Sequence, residues 1–258
     1  LKVINPPVLP IAAEPTKRKL MVIAAALISA LFILAFFILL EMLDRTLRTK
    51  IRAERITGGK VLGAFPARPG LGARRYQKKY QQIATQFLSN AVFDYFRPDG
   101  PHILNVLSTE GGDGKSFLAS RLAAHMEQSG IKVRYVVWNK DFDINSKEFL
   151  LAGSLSDFVR TDEGELSLSE ADVIIVEYPP LAKCSVPATL LRDAALNLLV
   201  VRANRTWKDT DQLLYDKACE LSSATPLLLY LNEAAREEVE IFTGLLPPYT
   251  RARKPVSY

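Results

Sequence analysis

The run Leu20–Leu40, LMVIAAALISALFILAFFILL, contains no charged residue, and Ser29 is its only polar side chain. At about 1.5 Å per residue such a helix rises roughly 30 Å, the thickness of a bilayer's hydrocarbon core. A soluble helix keeps a polar face over this many turns, and this one has none, so the sequence predicts a transmembrane helix. A signal peptide would have a shorter apolar stretch close behind its first residues and a cleavage site of small residues, whereas here a Pro-containing segment comes first. Lys17, Arg18 and Lys19 precede the run, and Arg45, Arg48, Lys50, Arg52, Arg55 and Lys60 follow it. The larger basic group puts the C-terminal side in the cytoplasm.

The same flanks explain most of the net charge of +5 and the pI near 9.1. A nucleic-acid partner is therefore not expected, and the lipid bilayer is. Cys184 and Cys219 have no CxxC spacing and only His102 and His125 accompany them, which disfavours a zinc site or a disulfide scaffold. Residues 1–19 carry Pro6, Pro7, Pro10 and Pro15 and read as a stiff, extended segment on the outer face of the membrane. Beginning at Leu1, the sequence reads as the C-terminal piece of a longer protein.

The second constraining feature is Ile103–Ala123, ILNVLSTEGGDGKSFLASRLA, in which an apolar run meets a Gly-rich turn ending in Lys115-Ser116 and continues with helical periodicity. It reads as a phosphate-binding loop. Backbone N–H groups of Gly111, Gly112, Asp113, Gly114 and the first helical residues up to Phe117 would face phosphate oxygens, because glycine permits the dihedrals and the helix presents its positive end. Lys115 would reach the β- and γ-phosphates and the Ser116 hydroxyl would hold Mg²⁺. Thr109 stands where the full pattern has its first glycine, so the match is incomplete.

After the loop, apolar strands alternate with helical stretches: strand 132–138, helix 146–159, strand 172–176, helix 187–195, strand 198–202, helix 209–221 and strand 227–231. Continuously apolar strands separated by helices imply an α/β fold, a mainly parallel doubly wound sheet of the P-loop NTPase type. Ahead of it the sequence suggests a transmembrane helix at 20–40, then a basic stem and linker at 41–75. Within that stretch Glu41–Lys60 reads as a continuing amphipathic helix, Gly58-Gly59 as its stop and 66–75 as linker. A further helix is expected at 76–96 and a turn at Pro98-Asp99-Gly100. The P-loop domain would then occupy 76–246 and a tail 247–258.

Taken together, these parts resemble the bacterial tyrosine autokinases fused to polysaccharide co-polymerases, whose cytoplasmic domain is related to MinD-like P-loop ATPases. The likeness runs through the Pro-rich lead-in, the apolar helix followed by Glu41-Met-Leu-Asp44, Val61-Leu-Gly-Ala-Phe-Pro66 and EGGDGKS. It continues in Val173-Ile-Ile-Val-Glu-Tyr-Pro-Pro180, Leu199-Val-Val-Arg202 with Thr206, and Leu231-Asn232. The resemblance implies an inner-membrane protein of capsular or exopolysaccharide assembly, controlling chain length, with a cytoplasmic domain for ATP and Mg²⁺. It also implies polysaccharide polymerase or export partners and a homo-oligomer. Asn232 falls where such proteins contact adenine, although a strand-end Asn also serves as a turn residue.

Several positions depart from the family pattern. Its Asp-x-Asp element becomes Val137-Trp138-Asn139, and a valine neither binds a metal-bound water nor accepts a proton. Asp141, with Asp143, is the nearest acidic replacement for a catalytic role, and a solvated loop carboxylate is the competing reading. Glu177 replaces the aspartate before x-Pro-Pro and is either a catalytic and Mg²⁺-contacting carboxylate or a strand-end cap. The Glu-x-x-Arg-x-x-Arg oligomerisation helix falls on Gln82, Thr85 and Leu88. The tail that the family phosphorylates is reduced to Tyr249 and Tyr258 as acceptors. Two expectations follow: a co-polymerase with a degenerate kinase-like domain, or an active ATP-dependent autokinase. A septum-placement ATPase shares the fold but lacks the apolar helix.

Overall fold

In the computed structural model, the described residues are 17–68, 70–96, 98, 102–160 and 166–248. The Pro-rich residues 1–16, the Asp99-Gly100 part of the expected turn, and Tyr249 and Tyr258 lie outside them. The chain divides into two compact units, Leu1–Asp44 and Arg45–Tyr258.

The first unit contains helix α1, Arg18–Leu43, which has no acidic residue in its first turn and no basic residue in its last. Within Arg18–Met42 an 18-residue stretch has a mean hydropathy of 3.0 and none of it is buried, so the helix is long and apolar enough to cross a membrane.

The second unit opens at Arg45, where the expected stem helix does not continue. Asp44 leaves helical geometry, Thr46 forms an antiparallel bridge with Thr206, and Trp207 N–H donates to the Arg45 carbonyl at 2.9 Å. A new helix α2, Lys50–Thr57, then starts on Thr49, whose hydroxyl accepts from Arg52 N–H, and ends on left-handed Gly58. Periodicity alone cannot see this break, because the backbone of 44–49 is engaged by tertiary partners.

The sheet is built from β1 Val61–Pro66, β2 Ile103–Leu107, β3 Val133–Val137, β4 Val173–Glu177, β5 Leu196–Arg202 and β6 Leu227–Ala234. Its order is β1-β6-β5-β2-β4-β3 and every pairing is parallel, as expected for a doubly wound sheet. The short apolar patch at Val61 is thus an edge strand and not part of a linker. Residues 196–201 of β5 are all buried, which requires cover on both faces. Helices α3 Gln77–Phe93 and α4 Lys115–Gln128 pack against each other, as do α6 Ala188–Arg192 and α7 Asp209–Ser222.

Two buried asparagines fasten the middle of the sheet. Asn105 and Asn197 face each other across β2 and β5, bonded at 2.8 Å, and their amides also donate to the Leu190 and Leu191 carbonyls of α6. The expected helix over 146–159 is instead one turn, α5 Lys147–Leu150, and a 3-10 turn at Leu155–Asp157. Gly153 and Ser154 interrupt it, their N–H groups held by Asp157 at 2.8 Å each. A final helix α8, Arg236–Thr243, was not anticipated. In α3, Thr85 and Leu88 are buried in this chain's own core while Gln82 is exposed.

Candidate phosphate-binding site

The site lies where β2 and β4 end and α4 begins. Gly112 and Gly114 have φ of 85° and 93°, values that L-residues rarely adopt. Gly114 is constrained for a second reason: a Cβ there would sit 2.0 Å from the Asn232 amide nitrogen, so that side chain would have to move. That amide donates to the Asp113 carbonyl at 2.8 Å, so Asn232 at the end of β6 holds the loop's backbone.

Lys115 is buried and donates to the Ser108 hydroxyl at 2.6 Å. Burial holds its ammonium below the usual lysine range, against the opposing pull of Glu177 and Asp113. Ser116 donates to Glu177 Oε1 at 2.6 Å, and Tyr135 donates to Glu177 Oε2 at 2.5 Å. The Tyr135 phenol is pushed far up, first by burial and then by this bond to a carboxylate. The structure therefore brings Ser116 and Glu177 together by a hydrogen bond and adds a tyrosine that the motif search missed. Its signal was the alternation of β3, which puts Tyr135 and Val137 on one face.

Asp141 goes elsewhere. Its Oδ2 accepts from Val137 N–H at 2.6 Å and its Oδ1 lies 3.3 Å from the Arg134 guanidinium, with the group 3% exposed. Asp143 is exposed and closes its own turn by accepting from Asn145 N–H at 3.0 Å.

The loop is gripped from the side by Arg205, between β5 and α7. Its guanidinium donates to Thr109 Oγ1 at 2.8 Å and twice to Asp211 near 3.0 Å, and it pairs with Glu110 at 3.1 Å and Asp113 at 3.3 Å. Lys208 also reaches Glu110 at 2.8 Å. Asp113 and Asp211 are each 1% exposed, and the Asp113 oxygens accept no well-aligned hydrogen bond. Burial raises the Asp113 carboxyl, with Arg205 acting against it. At Asp211 burial also pushes upward, but bonds from Thr109, Lys208 N–H and Arg205 outweigh it and hold the carboxyl below its usual range. No motif marks Arg205, because its partners come from two distant stretches of sequence.

Beside the loop is a cleft of about 530 Å³ bordered by Gly112, Gly114, Phe117, Arg121, Asn232 and Arg68, with Lys78 and Glu233 also on its wall. Phe117 rests edge-on against Phe65 and carries the Arg121 guanidinium over its ring at 4.5 Å. Glu233 is paired with Arg202 at 2.8 Å, so the cleft's remaining charge is positive.

A parallel sheet, a glycine loop closed on a buried lysine, and a strand-end carboxylate on the following serine define an α/β domain with the P-loop kinase fold. Solved structures of that fold agree. The kinase domain of the Escherichia coli tyrosine kinase ETK superposes with a TM-score of 0.50 at 17% identity, covering 78% of this chain and 96% of that one. The BceF tyrosine kinase domain gives 0.50 at 17% identity over 72% of this chain and 98% of its own. No protein-family model and no curated protein sequence matches the chain.

Proposed function

We propose that this chain is an inner-membrane co-polymerase of capsular or exopolysaccharide assembly, anchored by α1, whose cytoplasmic domain binds a nucleotide without acting as a kinase. The order of parts along the sequence and the kinase-like fold support the pathway. The observation that carries the loss of activity is the fate of the carboxylates. Phosphoryl transfer relies on metal and charge placed around the γ-phosphate, and here Val137 replaces one carboxylate while Asp141 is bonded to Arg134 and Val137 N–H. Lys115, Ser116 and the backbone of 111–117 remain to hold phosphates, and Phe117 and Asn232 border the cleft for the rest of the nucleotide.

The test is an ATP titration of the full chain in lipid nanodiscs. Lys115→Ala is expected to lower affinity at least about tenfold, as loss of a charge-assisted phosphate contact does. Incubation with ATP is expected to leave Tyr249 and Tyr258 unmodified by mass spectrometry. The contact between Ser116 and Glu177 favours the second reading, an active autokinase with those tyrosines as acceptors. Metal-dependent tyrosine phosphorylation that disappears in Lys115→Ala would establish that reading and end the first.

A further inference from the structure

Magnesium takes six oxygen ligands at about 2.1 Å, keeps several waters, and is normally held through one or two carboxylates together with substrate phosphates. Around Ser116 the fit is poor. The Val137 side chain offers no oxygen, Asp141 is spent on Arg134 and the Val137 N–H, and Asp143 closes an exposed turn. Glu177 is left alone, with Oε1 accepting from Ser116 at 2.6 Å and Oε2 from Tyr135 at 2.5 Å. A cation's waters would have to share Glu177 with both donors, since each of its oxygens already accepts one of them. Among the described residues, no three His, Cys, Asp or Glu side chains converge on a point that could hold a metal.

Positive charge is instead supplied by the protein. Lys115 stands inside the loop, and Arg68, Lys78 and Arg121 border the adjoining cleft, where the one acid, Glu233, is paired with Arg202. Side-chain cations beside the loop are available for the charge-neutralising place that a divalent ion has beside bound phosphates.

We propose that this site binds a nucleoside di- or triphosphate as the metal-free anion, and that Tyr135, by capping Glu177, is the residue that sets this preference. The inference rests on the nucleotide reading above. Tyr135 is a specificity-determining residue for the form of the ligand and has no part in chemistry.

The experiment uses the full chain in lipid nanodiscs, with ATP affinity measured calorimetrically in EDTA and in Mg²⁺, and with Mn²⁺ followed by electron paramagnetic resonance. The native chain is expected to bind ATP in EDTA at least as tightly as in Mg²⁺ and to show no protein-bound Mn²⁺. Tyr135→Phe frees one Glu177 oxygen, so Mg²⁺ should then tighten ATP binding roughly tenfold and bound Mn²⁺ should appear, the scale expected for one hydrogen bond to a charged group. Tyr135→Leu, which also lacks the hydroxyl, should behave alike and guards against an effect peculiar to Phe. A native chain that Mg²⁺ tightens tenfold, or variants that stay indifferent to the cation, would overturn the proposal while the nucleotide reading survives. If neither the native chain nor the variants bind ATP under any condition, the nucleotide reading falls and this inference falls with it.

Discussion

Arg205→Met removes the guanidinium that ties the phosphate loop to the start of α7 while keeping much of the side chain's bulk. The structure sets the magnitude. Asp211 loses a bidentate partner at about 3.0 Å and Asp113 loses a cation at 3.3 Å, and both carboxylates are 1% exposed. Breaking a buried pair by deleting one partner costs roughly 3–5 kcal/mol. The lower end applies, about 3 kcal/mol, because Arg205 is 17% exposed and Glu110, at 35%, keeps Lys208. That is a large share of the ~5–15 kcal/mol by which a domain is stable.

Urea unfolding of the full chain in detergent reads this directly. The chain's only tryptophans, Trp138 and Trp207, both lie in the second unit, so their fluorescence ignores α1. With a slope of ~2–3 kcal/mol per molar urea, the midpoint should fall by about 1 M. The deficit should also shrink as pH is lowered, since protonating the two orphaned carboxylates relieves them. A cycle with Asp211→Asn should give a coupling of about 1.5–3 kcal/mol, the range for a hydrogen-bonded ion pair. A stability loss below about 1 kcal/mol, or a coupling near zero, would refute the view that Arg205 clamps the loop.

Gly114→Ala forces a Cβ to 2.0 Å from the Asn232 amide at a φ of 93°. Left-handed strain of roughly 1–2 kcal/mol and disruption of the bond from Asn232 to Asp113 should lower stability by about 2–4 kcal/mol in the same assay and abolish nucleotide binding in a titration. Asp113→Asn should raise stability at pH 7. The Asp113 carboxyl is raised in the folded chain, so its contribution is fully present below its ordinary 3.8 and is lost as pH climbs through the raised value. Urea midpoints from pH 4 to 8 should therefore decline less with pH in this variant than in the native chain. Asn105→Leu strands the Asn197 Oδ1 and the Leu190 carbonyl in the core and should cost about 1–3 kcal/mol by thermal unfolding.

The sheet's strands and their parallel character were legible because a strand covered on both faces must be apolar throughout, and α1 was legible because a bilayer demands length and composition alone. The glycine turn that leads into Lys115 and Ser116 could be placed between strand and helix because such a turn is a local structure. Other features depended on partners far away in sequence. Edge strand β1 has too short an apolar run to declare itself until β6 pairs with it, and α2 starts afresh because Thr46 and Arg45 bond the segment Thr206-Trp207. Asp141 looked available from its spacing, yet Arg134 and a backbone N–H take its oxygens.

By itself, then, the sequence determined a helix long and apolar enough to cross a membrane and a P-loop sheet, since both follow from local periodicity and from dihedrals only glycine supplies. Tertiary structure alone decided what surrounds the loop: Tyr135 on Glu177, Arg205 across Thr109, Glu110 and Asp113, and Asn232 beneath Gly114. The physical reason is that a charge or hydrogen bond in a buried site depends on which partners folding brings within about 3 Å, and sequence distance carries no record of that.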